Sequence, residues 1–151
     1  MRTMTRTSPA GMLIAAFLAI APLTPAAAAA QTIKTDLVTV RSEPVVDGKL
    51  EHPWGLAFLP DGDAIVTERP GRMRIVSGGK LSKPITGVPK VWERGQGGLL
   101  DVAVSPDFET SGLVYFSYSE PGRRGAGTAV GRGRLVREEG GARLENVETI
   151  F

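Results

Sequence analysis

The chain contains a repeat, and the repeat limits its fold more than any other feature. Leu56-Ala57-Phe58-Leu59-Pro60-Asp61 is matched by Val102-Ala103-Val104-Ser105-Pro106-Asp107, an offset of 46 residues. Each copy is a short apolar run that ends in Pro-Asp. Each then leads into a second apolar run, Ala64 to Thr67 in the first copy and Leu113 to Tyr118 in the second. Proline fixes φ and Asp accepts backbone N–H groups, so Pro-Asp closes a strand with a turn. Each copy therefore reads as a hairpin of one sheet. A hairpin unit recurring at ~40–50 residues is the spacing of a four-stranded propeller blade. A β-sandwich supplies similar local strands without requiring a period. The period favours the propeller.

The rest of the chain is punctuated in the same way. Trp54 to Leu59 is a candidate strand, Pro60-Asp61-Gly62-Asp63 a turn, and Ala64 to Thr67 the returning strand. Arg69-Pro70-Gly71-Arg72 turns again, and Met73 to Val76 runs on to Ser77-Gly78-Gly79-Lys80. With 19 Gly and 11 Pro among 151 residues, a helical bundle is disfavoured. The fold class expected is all-β, with about two to three four-stranded blades.

Residues 1–30 read as a secretory signal peptide rather than as part of that fold. Arg2 and Arg6 form a basic start, Gly11 to Leu23 is mostly apolar, and alanines to Ala30 give a small-residue exit. The apolar run is shorter than the ~20 residues that span a bilayer, and Pro22 interrupts it. A retained anchor helix is the alternative. Export places the chain in the periplasm or secretes it. Residues 31–45 are then a lead-in, and residues 46–151 carry the blades. At ~45 residues per blade the exported part supplies fewer than three blades, short of the four or so that close a ring. Its ending, Val147 to Phe151, is apolar and strand-like. The chain is therefore expected to be the N-terminal part of a larger propeller, with exposed blade edges prone to self-association.

Composition removes several functions. There is no cysteine, which excludes a disulfide framework, thiolate zinc sites, iron–sulfur clusters and thiol catalysis. The one histidine, His52, excludes any site needing two. The formal charge of +2 vanishes once Arg2 and Arg6 leave with the leader. Arg123, Arg124, Arg132, Arg134 and Arg137 have no interleaved aromatic residue, so they read as a solvated strand face and loop. No nucleic-acid partner is expected.

The densest unusual stretch is Glu93-Arg94-Gly95-Gln96-Gly97-Gly98-Leu99-Leu100-Asp101. Its glycines permit a tight turn and close approach of a ligand, and Gln96 offers an acceptor and donors without charge. A loop entering an inner propeller strand lies near the central channel. The simpler reading is a Gly-rich connection whose Gln side chain bonds to neighbouring backbone. The stretch lacks the spacing and the lysine of a phosphate-binding loop. His52 has only Glu51 as a close acidic neighbour in sequence and reads as a blade-edge residue. Asp61 and Asp107 occupy equivalent repeat positions and read as turn residues that accept backbone N–H groups. Asp101 reads as a sheet-end hydrogen-bonding residue. Tyr115, Phe116 and Tyr118 read as packing rather than a sugar platform. Ser105, Ser117 and Ser119 lack a nucleophile-elbow setting.

Taken in order, HPWGLAFLPDG (His52 to Gly62), TERPGRMRIV (Thr67 to Val76) and GQGGLLDVAVSPDF (Gly95 to Phe108) resemble the glucose/sorbosone dehydrogenase family. GLVYFSYSE (Gly112 to Glu120), GTAVGRGRL (Gly127 to Leu135) and the closing VETIF continue the resemblance, which runs from about Val46 to Phe151. It is nearest in style to the soluble, exported aldose sugar dehydrogenases of bacteria.

That resemblance implies a six-bladed propeller with pyrroloquinoline quinone in the top of its channel and calcium ions there. It implies oxidation of the C1 hydroxyl of aldose sugars to lactones, with electrons passed on to an acceptor. A histidine serves as base, and calcium and an arginine polarise the quinone. Gln96 matches the Gln of the family's Gly-Gln-x-Gly-Leu-Leu segment, which implies a positioning role beside cofactor and substrate. His52 matches the family's early His-Pro-Trp segment, a structural position. The base, the channel arginine and the calcium loop have no match here. The chain alone is therefore expected to be inactive and to bind quinone and calcium poorly. The alternative is a noncatalytic or lactonase-like extracytoplasmic binding propeller.

Overall fold

The structure, a computed structural model, describes residues 30–151. The signal-peptide expectation lies outside the described residues. The lead-in contains something its polar sequence did not announce, an exposed hairpin. In it β1 (Gln31–Lys34) pairs antiparallel with β2 (Thr39–Ser42). Thr35 closes the turn, its hydroxyl donating to the Val38 carbonyl at 2.8 Å.

Two four-stranded antiparallel sheets follow. The first is β3 (Pro53–Phe58), β4 (Ala64–Glu68), β5 (Arg72–Ser77) and the short β6 (Lys80–Leu81). The second is β7 (Leu99–Val104), β8 (Leu113–Gly122), β9 (Gly125–Glu138) and β10 (Gly141–Thr149). Each is a simple meander in chain order. Their first strands, β3 and β7, lie against each other. The described residues thus form two neighbouring blades of a partial propeller, with β3 and β7 innermost. The meander read as three strands gains a fourth, β6, too short to leave a pattern in sequence.

The repeat has the expected equivalence. Leu56, Ala57 and Phe58 face Val66, Ile65 and Ala64 across the first sheet. Val102, Ala103 and Val104 face Phe116, Tyr115 and Val114 across the second. Leu56 and Val102 are 46 residues apart, whereas Val66 and Phe116 are 50 apart. The extra residues are a single helical turn, α1 (Phe108–Ser111). That turn corrects one expectation. Asp61 accepts the Asp63 N–H at 3.1 Å, as a turn residue should. Asp107 instead accepts the hydroxyls of Ser105 and Ser111, and α1 has no side-chain cap. These bonds, Ser105 first, hold the Asp107 carboxyl below its ordinary range.

The core lies between the blades. Leu59, Ile65, Met73 and Ile75 come from the first, and Leu99, Val102, Val114, Phe116 and Tyr118 from the second. Each such side chain contributes about 1.5–3 kcal/mol on leaving water. Phe116 and Tyr118 pack as expected, their ring centroids 5.8 Å apart and tilted by 46°. The inner strands meet almost backbone to backbone. A Cβ at Gly55 would stand 2.9 Å from the Asp101 Cα, so that position needs a residue without a side chain.

The two inner strands share one irregularity. β3 shifts register between Pro53 and Leu56, and β7 between Leu99 and Val102. A bulge leaves backbone groups outside the ladder. Hydroxyls take them up: the Gly55 N–H donates to Thr67 Oγ1 at 2.8 Å, and the Asp101 N–H to Ser117 Oγ at 3.1 Å. The fully buried Thr67 hydroxyl also donates to the Leu100 carbonyl, which ties the first blade to the second.

Candidate functional site

The Gly-rich loop enters β7 at the end of the sheet where β4 finishes and β3 begins. Pairing of Pro53 with Glu68 and of Leu99 with Tyr118 puts His52, Arg69, residues 91–98 and the β8–β9 tip at one end. Antiparallel meanders do this by construction: entry to the first strand and the turn between second and third share an end.

Arg69 and Ser119 hold the loop. The Arg69 guanidinium donates to the Gly95 carbonyl at 2.8 Å and pairs with Glu93 at 3.3 Å. The Arg69 carbonyl accepts the Leu99 N–H at 2.9 Å. Ser119 binds both stems, accepting the Trp92 N–H at its carbonyl (2.8 Å) and the Gly98 N–H at its hydroxyl (3.2 Å). Gly98, at φ +149°, lies so close to Arg69 that a Cβ would overlap its carbonyl. Arg94 stacks on Trp92, 4.9 Å from the ring centroid.

Within this frame Arg94 to Gly97 is a turn closed by the Gly97 N–H on the Arg94 carbonyl at 2.9 Å. Gly95 stands at its first central position with a positive φ, +57°, which glycine adopts without the Cβ clash another residue would meet. Gln96 occupies the second. Its side chain is exposed and takes no protein hydrogen bond among the described residues, contrary to the simpler reading of a Gln bonded to nearby backbone. The loop thus offers an uncharged amide to solvent on a clamped support. Such a group can donate to and accept from ligand oxygens without moving a proton.

The other expected positions are placed as follows. His52 lies at the same end, exposed, with φ +48°, its carbonyl accepting the Arg69 N–H at 3.0 Å. Asp101 bonds within its own strand, accepting the Val102 N–H at 2.9 Å. Asp61 and Asp63 pair with Arg137 at 3.1 and 2.7 Å. Arg132 pairs with Glu148, while Arg123 and Arg124 sit exposed on the β8–β9 tip. Among the described residues no group of three or more His, Asp or Glu is arranged to hold a metal. Gln96 fits a hydrogen bond to a quinone or sugar oxygen.

Sequence reasoning missed Glu68. It is fully buried, and its carboxylate pairs with Arg72 at 3.0 Å and Arg74 at 3.6 Å and accepts the Glu51 N–H at 2.5 Å. Burial raises its pKa, but the Arg72 bond, the Glu51 N–H and the two guanidinium charges outweigh it, and the net shift is downward. It also missed Arg69 and Thr67, which flank Glu68. The signal was on view in Thr67-Glu68-Arg69-Pro70-Gly71-Arg72, a charged turn directly after a strand. Only the fold shows that Thr67 and Glu68 are buried and that Arg69 reaches the Gly95 carbonyl.

Comparison with known proteins agrees with this geometry. The glucose/sorbosone dehydrogenase family model matches residues 50–151. Aldose sugar dehydrogenase YliI of Escherichia coli is 50% identical over 110 residues, 71% of this chain and 29% of that protein. A crystal structure of a glucose dehydrogenase superposes with TM-score 0.63 at 55% identity, covering 68% of this chain and 30% of that one. The quinone-bound (PQQ) aldose sugar dehydrogenase of Streptomyces coelicolor superposes with TM-score 0.62 at 30% identity, over 72% and 32%. This chain spans about 30% of the length of these relatives. With two matching blades and a family match across both of them, the chain belongs to the glucose/sorbosone dehydrogenase family.

Proposed function

We propose that this chain forms the first two blades of an exported, quinone-dependent aldose dehydrogenase that oxidises the C1 hydroxyl of its sugar to a lactone, and that Gln96 positions the reacting groups. One observation supports this reading above the others: an exposed Gln96 on a turn fixed by Arg69 and Ser119 at the inner-strand end of the blades. A bound quinone supplies the hydride acceptor. Gln96 donates to or accepts from an oxygen of the bound molecules, and Arg69 keeps its turn from moving. A preformed donor of this kind lowers a barrier without reorganising during the reaction.

Proton removal falls to no residue described here. His52 is exposed, stands in a strained backbone conformation and is engaged only through its carbonyl. The chain by itself is therefore inactive in this reading, and calcium is held elsewhere in the complete enzyme. Export to the periplasm or the medium follows from the leader.

A chimera tests the reading. Residues 50–151 replace the corresponding segment of the E. coli relative, and dye-linked aldose oxidation is measured with quinone and calcium. The chimera is expected to turn over, and Gln96→Ala in it to lose about tenfold or more in kcat/KM, the equivalent of ~1.4 kcal/mol. A folded chimera whose kinetics and quinone affinity are indifferent to Gln96→Ala would sink the assignment. The isolated chain is expected to show no turnover in the same assay.

A further inference from the structure

The turn that presents Gln96 also presents a cation. Arg94 stands at the first position of that turn and Gln96 at the third, and the ends of such a turn lie within about 7 Å of each other. Both side chains are exposed. The Arg94 guanidinium lies over the Trp92 ring, 4.9 Å from its centroid. The ring takes the face of the guanidinium and restrains a side chain that would otherwise sample many rotamers. The N–H edge stays free, and that edge matches the two oxygens of a carboxylate.

The charge of Arg94 is not neutralised among the described residues. Glu93, its neighbour in sequence, is taken by Arg69 at 3.3 Å. Among the described residues, Arg94, Arg123, Arg124 and Arg134 are the arginines without a carboxylate partner. The first three stand at the end that carries Gln96: Arg94 in its turn, and Arg123 and Arg124 between Gly122 and Gly125 at the tip of the β8–β9 hairpin. The acidic residue on that hairpin, Glu120, accepts the Tyr118 hydroxyl at 3.2 Å. Cations around an uncharged amide give this end a positive field, which raises the local concentration of small anions.

We propose that Arg94 is a specificity-determining residue of the Gln96 site, and that the sugar it selects is an aldose bearing a carboxylate, a hexuronic acid. The proposal rests on the reading of Gln96 given above. With the C1 end of the sugar at Gln96, the C6 carboxylate of the same ring lies about one turn-width away, at Arg94. Exposure of both side chains suits a ligand that arrives from solvent and returns to it, rather than the carboxylates of a resident cofactor. The oxidation keeps its balance. C1 gives up a hydride to the bound quinone and its hydroxyl proton to a base elsewhere in the enzyme, the lactone forms, and the carboxylate is unchanged.

The chimera carrying residues 50–151 tests this with D-glucuronate and D-glucose as paired substrates. The kcat/KM for glucuronate is expected to exceed that for glucose by about tenfold at low ionic strength, and to fall toward it as salt screens the charge. Arg94→Gln is expected to erase the preference through KM, because a carboxylate remote from C1 is held alike in ground and transition states. Arg94→Lys keeps the charge but not the fork, and is expected to retain part of the preference. Quinone affinity, measured by titration of each apo-chimera, is expected to be the same in all three. A chimera that oxidises both sugars equally, or whose preference survives Arg94→Gln, overturns the inference and leaves the reading of Gln96 standing. So does an Arg94→Gln variant that loses quinone affinity, since the carboxylate at Arg94 is then the cofactor's. A chimera that oxidises neither sugar overturns both.

Discussion

Thr67→Val is the most direct probe of the blade joint. Valine has almost the shape of threonine and suits a strand, so neither a cavity nor a loss of β-propensity follows. The change removes one buried hydroxyl and its two short bonds, the one accepted from the Gly55 N–H at 2.8 Å and the one donated to the Leu100 carbonyl, along with a longer contact to the Gly55 carbonyl at 3.4 Å. Both backbone groups sit at bulges, where the ladder offers no replacement. A buried polar group left unsatisfied costs about 1–3 kcal/mol, so the pair costs about 2–6 kcal/mol. A domain of this size has a total stability of only ~5–15 kcal/mol. Thr67→Ser keeps the hydroxyl and loses one methyl, about 1 kcal/mol. Urea unfolding followed by the fluorescence of Trp54 and Trp92, with the slope held common to all variants, measures both changes. Serine is expected to be milder than valine by at least ~1 kcal/mol. A valine variant as stable as the wild type, or a serine variant worse than it, would refute the claim that the hydroxyl rather than the methyl holds the joint.

Two further outcomes follow from the charged turn and the loop. The Glu68 carboxyl is shifted below its ordinary 4.5 in the folded chain, so it stabilises the fold above that pH and the contribution is lost as pH falls through the lowered value. Glu68→Gln is expected to flatten the acid limb of stability against pH, and at neutral pH to cost about 3 kcal/mol, the low end for a broken buried pair because Arg72 is partly exposed; an unchanged acid limb in denaturant titrations would count against the ion cluster. Gly98→Ala is expected to push β7 off the Arg69 carbonyl and speed amide hydrogen exchange at Leu99 and Gly97, whereas wild-type exchange there would show that the loop is not clamped at Arg69.

The fold was legible in the sequence wherever a signal was local. Pro60-Asp61-Gly62 and Pro106-Asp107 mark strand ends because proline and glycine restrict or free the backbone on the spot. The apolar run Leu113 to Tyr118 marks a strand, and the structure shows that Val114, Phe116 and Tyr118 are its buried face. The hairpin at β1 and β2 was not legible, since its residues are exposed on both faces and carry no apolar period. Nor was the Asp107 arrangement, because nothing in Phe108-Glu109-Thr110-Ser111 distinguishes a helical turn from a loop. The candidate site divides in the same way. Gln96 stood out by its glycines. Arg69 did not, because its partners Glu93 and Gly95 lie more than twenty residues along the chain.

The paired bulges explain why the hydroxyls at 67 and 117 belong to the fold's logic rather than to chance. β3 and β7 each leave the ladder at a bulge, and in the first blade the N–H so freed, that of Gly55, is buried. Only a short side chain on the adjacent strand reaches that N–H without filling the joint. Threonine and serine do this at equivalent positions, one strand over from the bulge. A hydroxyl can accept and donate at once, so the residue that repairs the bulge also has a hydrogen left for the neighbour's carbonyl. Asparagine could satisfy the same N–H, but its bulk would hold the blades apart where Gly55 lets β3 and β7 approach. In the first blade, Thr67 alone thus both repairs the bulge and joins the neighbouring blade.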